Sequence, residues 1–397
     1  MNGIMRVFVS KKTLEQDAIP SQDIQVSKDL QQDLPWPAEN ILLTGVTGFL
    51  GTSLLNSLLK KTHANIYCLI RSKNEETIEE RLNKQLKAHQ LERYIGNDRI
   101  IPIAGDLNLS RLGLTDTLHD IMVDRVDTIY HNGAHVNYFY SYLDLKTANV
   151  TSTEDILRMS VTKKLKRVHY ISTLFLFFPK DCDGKSIIYE DDEPPHGVAL
   201  NIGYGQTKWV ADSMIRYAQT RGIPATIYRV TRMSADSQLG NCNNNDFIWN
   251  MLMISIQVQS RPSTDMLINF APVDFVSDAI VEISFQKESE GKIFHIANPH
   301  SITMDEFFEM VRELGYPLPK KSLNKWKQDV LNYAERTGNR SFSIFIDILN
   351  KMTDGGNRAY DVRNMLEKLK TSSLSCPMIE KEFIKTNLMY FLKKLEK

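Results

Sequence analysis

Residues 41–51 run "ILLTGVTGFLG". A short β-rich run ends in Gly45, Gly48 and Gly51, and "LGTSLLNSLLKK" continues from them in a helical pattern. Glycine spacing alone is weak evidence, but a strand before it and a helix after it make the spacing informative. Such glycines let the backbone turn tightly and approach a pyrophosphate, whose charge meets the helix N-terminus. A tight strand–helix turn that binds nothing shares the pattern, so the rest of the chain has to choose between them.

It does so by alternation. "NILLT", "NIYCLI", "RIIPIAG", "VDTIYHNG", "KRVHYIST", "PATIYRV" and later "KIFHIAN" are β-rich runs separated by helical stretches. Strands alternating with helices form βαβ units and a parallel, doubly wound sheet. Near-continuous apolar runs suit strands covered on both faces. The expected fold is α/β, a Rossmann-type sheet with a smaller, mostly helical C-terminal substrate domain. The expected boundaries are 1–39 for a polar lead-in strapped over the first domain and 40–231 for the sheet domain, with 271–299 returning to it. Residues 232–270 and 300–397 form the second domain.

A chain of 397 residues exceeds one ordinary core. Its 48 basic and 48 acidic side chains balance, which gives no global field for nucleic acid. Cys68, Cys182, Cys242 and Cys376 show no C-x-x-C spacing, which speaks against a zinc site and fits a reducing cytosol. "MNGIMRVFVSKK" lacks the apolar run of a secretory leader. "VHYISTLFLFF" and "FIWNMLMISI" are too short to span a bilayer. A cytoplasmic protein with no membrane partner is expected.

The second strand ends "IYCLIRSK". NAD-binding folds commonly place an acidic residue there for the ribose 2′-hydroxyl; this chain has Arg71, then Lys73, with Arg81 on the next helix. A planar guanidinium suits the 2′-phosphate of NADP, although a solvated basic helix start would look the same. Asp106 in "AGDL" stands where it can accept from an adenine amino group, and "HNGA" supplies small residues for close backbone passage. His131 and His135 are four apart but have no third ligand in view, so no metal is expected.

Four Tyr-x-x-x-Lys pairs occur: Tyr142/Lys146, Tyr204/Lys208, Tyr316/Lys320 and Tyr390/Lys394. Each spacing puts both side chains on one helical face, and position decides among them. Chemistry in a doubly wound sheet gathers beyond the carboxyl ends of the strands. Tyr204 opens a helix between "RVHYIST", which ends in Ser172 and Thr173, and "ATIYRV". Pro317 and Pro319 break the helix that Tyr316 would need, Tyr390 lies in the tail, and no hydroxyl-bearing strand end immediately precedes Tyr142. A nearby ammonium lowers a phenol's pKa, so Lys208 is expected to acidify Tyr204.

"TGVTGFLG", "YHNGAHVN", "VHYIST" and "GYGQTKW" resemble the extended short-chain dehydrogenase/reductase superfamily. With "AGDLNLSRLGL", "NIYCLIRS", "GYGQTKWVAD" and "DAIPSQDI", the chain is similar more narrowly to thioester reductase domains of nonribosomal peptide and polyketide synthases and of carboxylic acid reductases. The resemblance covers about residues 40–300. It implies a catalytic triad of Thr173, Tyr204 and Lys208. It implies NADPH contacts from Gly45, Thr47, Gly48, Phe49, Leu50, Gly51, Arg71, Arg81, Asp106, Leu107, Asn132, Gly133, Ala134 and Asn149, with Tyr204 and Lys208 also touching the cofactor. The implied partner is an acyl or peptidyl carrier protein bearing a phosphopantetheine thioester, and the implied product an aldehyde or alcohol. Lys320, Lys321, Lys325 and Lys327 around Trp326 could dock that carrier or form a solvated face. The chain departs from the family's Tyr-Arg-Pro-Gly-Arg at Val230 and Thr231, and has Tyr140-Ser141 where a proline often stands. Alternative readings are an enzyme acting on a sugar nucleotide or free carbonyl, an acyl-CoA reductase, and a dinucleotide sensor without turnover.

Overall fold

Seven parallel strands carry the molecule: β1 Asn40–Thr44, β2 Asn65–Ile70, β3 Ile100–Ala104, β4 Thr128–His131, β5 Arg167–Thr173, β6 Ala225–Val230 and β7 Ile293–Ile296. This computed structural model describes residues 9–30, 34–72, 75–178, 185–197, 200, 202–243, 246–264, 266–352 and 357–395. The sheet order is β7-β6-β5-β4-β1-β2-β3. Chain order reverses between β1 and β4, where β1 pairs with β2 on one side and β4 on the other. That reversal opens a crevice at the carboxyl ends, where ligands bind in such sheets. β4, β5 and β6 are almost wholly buried, as strands covered on both faces must be.

The covering helices include α1 Lys11–Asp17, α2 Phe49–Lys61, α3 Ile78–Ala88, α4 Asp116–Arg125, α5 Tyr142–Lys146, α6 Ser152–Ser160, α7 Gly203–Thr220, α8 Phe247–Gln257 and α9 Val273–Ser284. They continue with α10 Met304–Glu313, α11 Leu323–Thr337, α12 Arg340–Met352, α13 Arg363–Leu369 and α14 Lys381–Leu395. α2 buries Leu54, Leu55 and Leu58 against the sheet and joins α9 through Ser53 and Ser57, both hydrogen-bonded to Ser277. A second core gathers Trp249, Phe270, Phe307, Trp326, Phe345 and Phe391 from the helical part.

Two details depart from the sequence expectation. The polar lead-in contains α1, whose Leu14 is buried in the sheet core with Ala18 and Ile24. α1 is anchored at Asp17, which accepts from the Tyr142 hydroxyl at 2.5 Å and from Lys146 Nζ at 2.7 Å. A second Tyr-x-x-x-Lys pair thus holds the N-terminal segment. At the other end, residues 300–397 do not stay in one domain. Val362, Met365 and Leu369 pack in the sheet core, and Ala359–Tyr360 pairs with Ile187–Ile188. α14 then rejoins the helical core through Ile384, Leu388 and Phe391.

Candidate active site

The loop after β1 is closed too tightly for side chains. Gly45 has φ of +71°, and a Cβ there would lie 2.7 Å from the Gly133 backbone. A Cβ on Gly51 would lie 1.9 Å from the Gly45 carbonyl oxygen. Gly51 is therefore the close-packing position between helix and loop, and it does not line the cleft. Gly48 caps α2 with no side-chain hydrogen bond, so the helix N-terminus presents backbone N–H groups, the arrangement that receives phosphate. Gly45, Thr47, Gly48, Phe49 and Leu50 all line one cleft of about 1750 Å³.

The same cleft is lined by Arg71, Arg81, Asp106, Leu107, Asn132, Gly133 and Ala134. Arg81 Nη1 donates to the Arg71 carbonyl, so two guanidinium groups belong to the end of β2. Lys73 and Cys182 lie outside the described residues. Asp106 spends Oδ1 on the Asn108 backbone and side-chain N–H groups, each at 2.9 Å. Asn149 does not reach the cleft. It sits on a π turn, Thr147–Thr151, and is buried. Its Oδ1 accepts from the His135 N–H at 2.7 Å, and its Nδ2 donates to the His135 carbonyl and to Thr207 Oγ1. It ties the loop after β4 to α7.

His131 is not placed as a ligand. Its ring nitrogens face Thr44 Oγ1 at 2.9 Å and Thr153 Oγ1 at 3.2 Å. Burial, with the Lys208 ammonium nearby, pushes its pKa down to about 3. Among the described residues, no cluster of three or more His, Cys, Asp or Glu could hold a metal.

Thr173, Tyr204 and Lys208 line the cleft together, where β5 ends and α7 begins. Thr173 Oγ1 accepts from the Phe175 N–H at 3.1 Å, which orients the hydroxyl. Lys208 is 5% exposed; its Nζ donates to the Tyr170 hydroxyl oxygen at 2.8 Å and to the Ile171 carbonyl at 2.6 Å. Burial pushes the Lys208 ammonium down to about 7, against the Asp212 carboxylate, which raises it. The Tyr204 phenol is pushed up by burial and by Tyr138. This corrects the expectation of an acidified phenol: desolvation disfavours phenolate here, and Lys208 is committed to Tyr170 and the backbone.

Behind these residues stands a set the sequence reading missed. Asp212, fully buried, accepts from Ser172 Oγ at 2.6 Å, Arg229 Nη2 at 3.0 Å and Arg229 Nε at 3.2 Å. Ser172 thus points its hydroxyl proton at Asp212, and Thr173 is the strand-end hydroxyl left with the cleft. Asp212 lies four residues after Lys208, a carboxylate on the same helical face; that signal was present in the sequence. Val230 and Thr231 hold the turn without a proline or glycine. Thr231, at the glycine position, donates its N–H to the Ile296 carbonyl at 2.9 Å and its Oγ1 hydroxyl to the Asn269 carbonyl at 3.0 Å.

Known proteins share this geometry. The family model described as "Male sterility protein" matches residues 43–280. The chain belongs to this family. The terminal R domain of the myxalamid PKS-NRPS biosynthetic pathway superposes with a TM-score of 0.90 at 33% identity, over 97% of this chain and 98% of that one. A linear gramicidin synthase of Brevibacillus parabrevis is 37% identical over 354 residues, 88% of this chain and 7% of the relative. The large chain of the L-2-aminoadipate reductase of Penicillium chrysogenum is 30% identical over 339 residues, 80% of this chain and 24% of the relative. This chain therefore spans a small part of those two relatives, and nearly all of the R domain. It is an oxidoreductase of the extended short-chain dehydrogenase/reductase type with a nicotinamide-binding Rossmann sheet.

Proposed function

We propose that the chain reduces acyl or peptidyl thioesters, delivered on the phosphopantetheine arm of a carrier protein, and releases an aldehyde that can be reduced further to the alcohol. The observation that carries this reading is the meeting of Thr173, Tyr204 and Lys208 with the glycine loop in one cleft. The loop fits a dinucleotide because Gly45 and Gly51 let it close against Gly133 and α2, while the α2 N-terminus, with no side-chain cap, faces the cleft at Gly48. Arg71 and Arg81 fit a 2′-phosphate, so the cofactor is NADPH. When bound, NADPH supplies the hydride.

The protein's own groups manage the oxygen. Tyr204 donates a proton to the substrate carbonyl oxygen as negative charge develops there, giving a thiohemiacetal. Its C–S bond then breaks, the hydroxyl proton passes to the departing sulfur, and the aldehyde and the pantetheine thiol separate. Thr173 adds a second donor, a kind of contact worth about 2.7–4 kcal/mol where it is made in the transition state. Lys208 holds its ammonium at the base of the site through Tyr170 and the β5 backbone, where it would bond a ribose hydroxyl of the cofactor. The test is mass spectrometry of products from loaded carrier proteins, acyl-CoAs and sugar nucleotides with NADPH or NADH. Aldehyde from loaded carrier with NADPH is expected, and Tyr204→Phe should cut turnover about 10²–10⁴-fold. Consumption of NADPH with a sugar nucleotide but not a thioester would overturn the reading.

A further inference from the structure

Beyond Tyr204 the cleft continues into the helical part of the molecule, and its walls change character. The approach is aromatic. Tyr138 meets Tyr204 edge-on at 5.8 Å, and Phe178 stacks on Phe175 at 5.2 Å. Farther in, Met251, Met253 and Ile254 of α8 face the cavity with Ile344, Phe345 and Ile348 of α12. Methionine is soft and unbranched, so it adapts to chains of irregular shape.

Charge is scarce on this side. Among the described residues from 232 onward, the charged groups lining the cavity are Arg232, Asp246 and Arg358. Arg232 lies 3.4 Å from the Asp246 carboxylate, and Asp246 also caps α8 through the Ile248 and Trp249 N–H groups. Arg358 is buried and donates to the Phe177 carbonyl at 2.8 Å. A carboxylate or ammonium brought against the α8–α12 wall would lose its water and meet hydrocarbon together with Asn250, Gln257 and Ser341, none of which carries a countercharge, so its burial is costly. Methylene groups brought there gain.

We propose that the helical arm of the cleft takes an uncharged, apolar acyl or peptidyl chain. This substrate class rests on the thioester-reductase reading and goes beyond it. The experiment measures two things: kcat/KM with NADPH for acyl pantetheine thioesters, and Kd by calorimetry for the matching non-reducible amides. Straight chains of increasing length are compared with chains ending in a carboxylate or an ammonium. Both quantities should improve by up to about fourfold per added methylene while the chain is being buried, and a terminal charge should cancel the gain. Ile344 is 46% exposed and does not belong to the helical core, so Ile344→Asp leaves that core intact. It should weaken long-chain amides at least tenfold and leave the shortest unchanged. Affinity independent of length, or tightest binding for the ω-carboxylate through Arg358, overturns the proposal. Graded amide binding with no thioester turned over would support the apolar arm while sinking the reductase reading beneath it.

Discussion

Lys208 and Tyr204 are shifted in opposite directions by the same cause. Burial pushes the ammonium down to about 7 and the phenol up, so Tyr204 keeps its proton throughout the range in which Lys208 loses its own. The kcat/KM for NADPH reports ionisations of the free enzyme. It should fall above about pH 7 with the slope of a single ionisation, and Lys208→Met should be slow with that limb gone. A wild-type profile flat to about pH 9 would refute this assignment. The stability sign is opposite. An unfolded lysine titrates near 10.4, so between 7 and 10.4 the unfolded chain binds more protons, and Lys208's contribution to stability rises with pH. Arg71 sets a second test. Charge-assisted hydrogen bonds are worth about 1.5–3 kcal/mol, so Arg71→Ala should weaken NADPH about ten- to a hundredfold and NADH little. Equal losses in a fluorescence titration would reject the 2′-phosphate contact. Both residues could be picked from the sequence because strand ends and helix starts mark the cleft edge. Tyr170 could not, since its bond to Lys208 joins β5 to α7 across 38 residues, a separation no spacing rule reaches.

Elements were legible where their periods are strong, and the joints between them were not. All seven strands follow from apolar runs, and α7 follows from its place between β5 and β6. What fastens α7 to β6 is Asp212 with Arg229, both wholly buried. A carboxylate in a helix and an arginine in a strand each look like solvated residues until the fold brings them together. Arg229 further donates to the Glu190 and Asp192 carbonyls and lies over the Phe177 ring at 5.2 Å. Removing one partner of a buried pair leaves the other charge stranded, at about 3–5 kcal/mol. Asp212→Ala should lose that much stability in urea unfolding. The double variant with Arg229→Met should recover part of it, because the stranded Arg229 charge is removed while Lys208 and Arg216 still lack the carboxylate. If Asp212→Ala costs below about 1 kcal/mol, the pair does not fasten the joint. Asp212 also faces Lys208, so the single variant should shift the alkaline limb further down.

For the whole molecule, two cores share one chain that crosses between them repeatedly. It leaves the sheet core after β6, returns at α9, leaves again after β7, and returns at residues 359–369 before α14 closes the helical core. The sequence reading missed that last return because a seven-residue helix such as α13 has too few turns to show a clear period. This threading ties the cores together. Asn298, next to Ala297 of the sheet core, donates Nδ2 to the carbonyl of Phe270 of the helical core at 3.4 Å and to the Pro377 carbonyl at 2.9 Å. Tyr138, Phe175 and Tyr204 pack against the helical core from the sheet side. Neither core can open fully without loosening segments of the other, so both should unfold as one unit. NADPH, by the proposal above, touches chiefly the sheet side. At a hundred times its Kd, a ligand adds about 2.7 kcal/mol to the stability of whatever unit binds it. Amide hydrogen exchange can show how far that gain spreads. The slowest peptides of α8 and α10, remote from the glycine loop in sequence, should gain the same protection as those of α2 and β6. Slowing confined to the sheet peptides would mean that the helical core opens independently, and that the crossings do not couple the two.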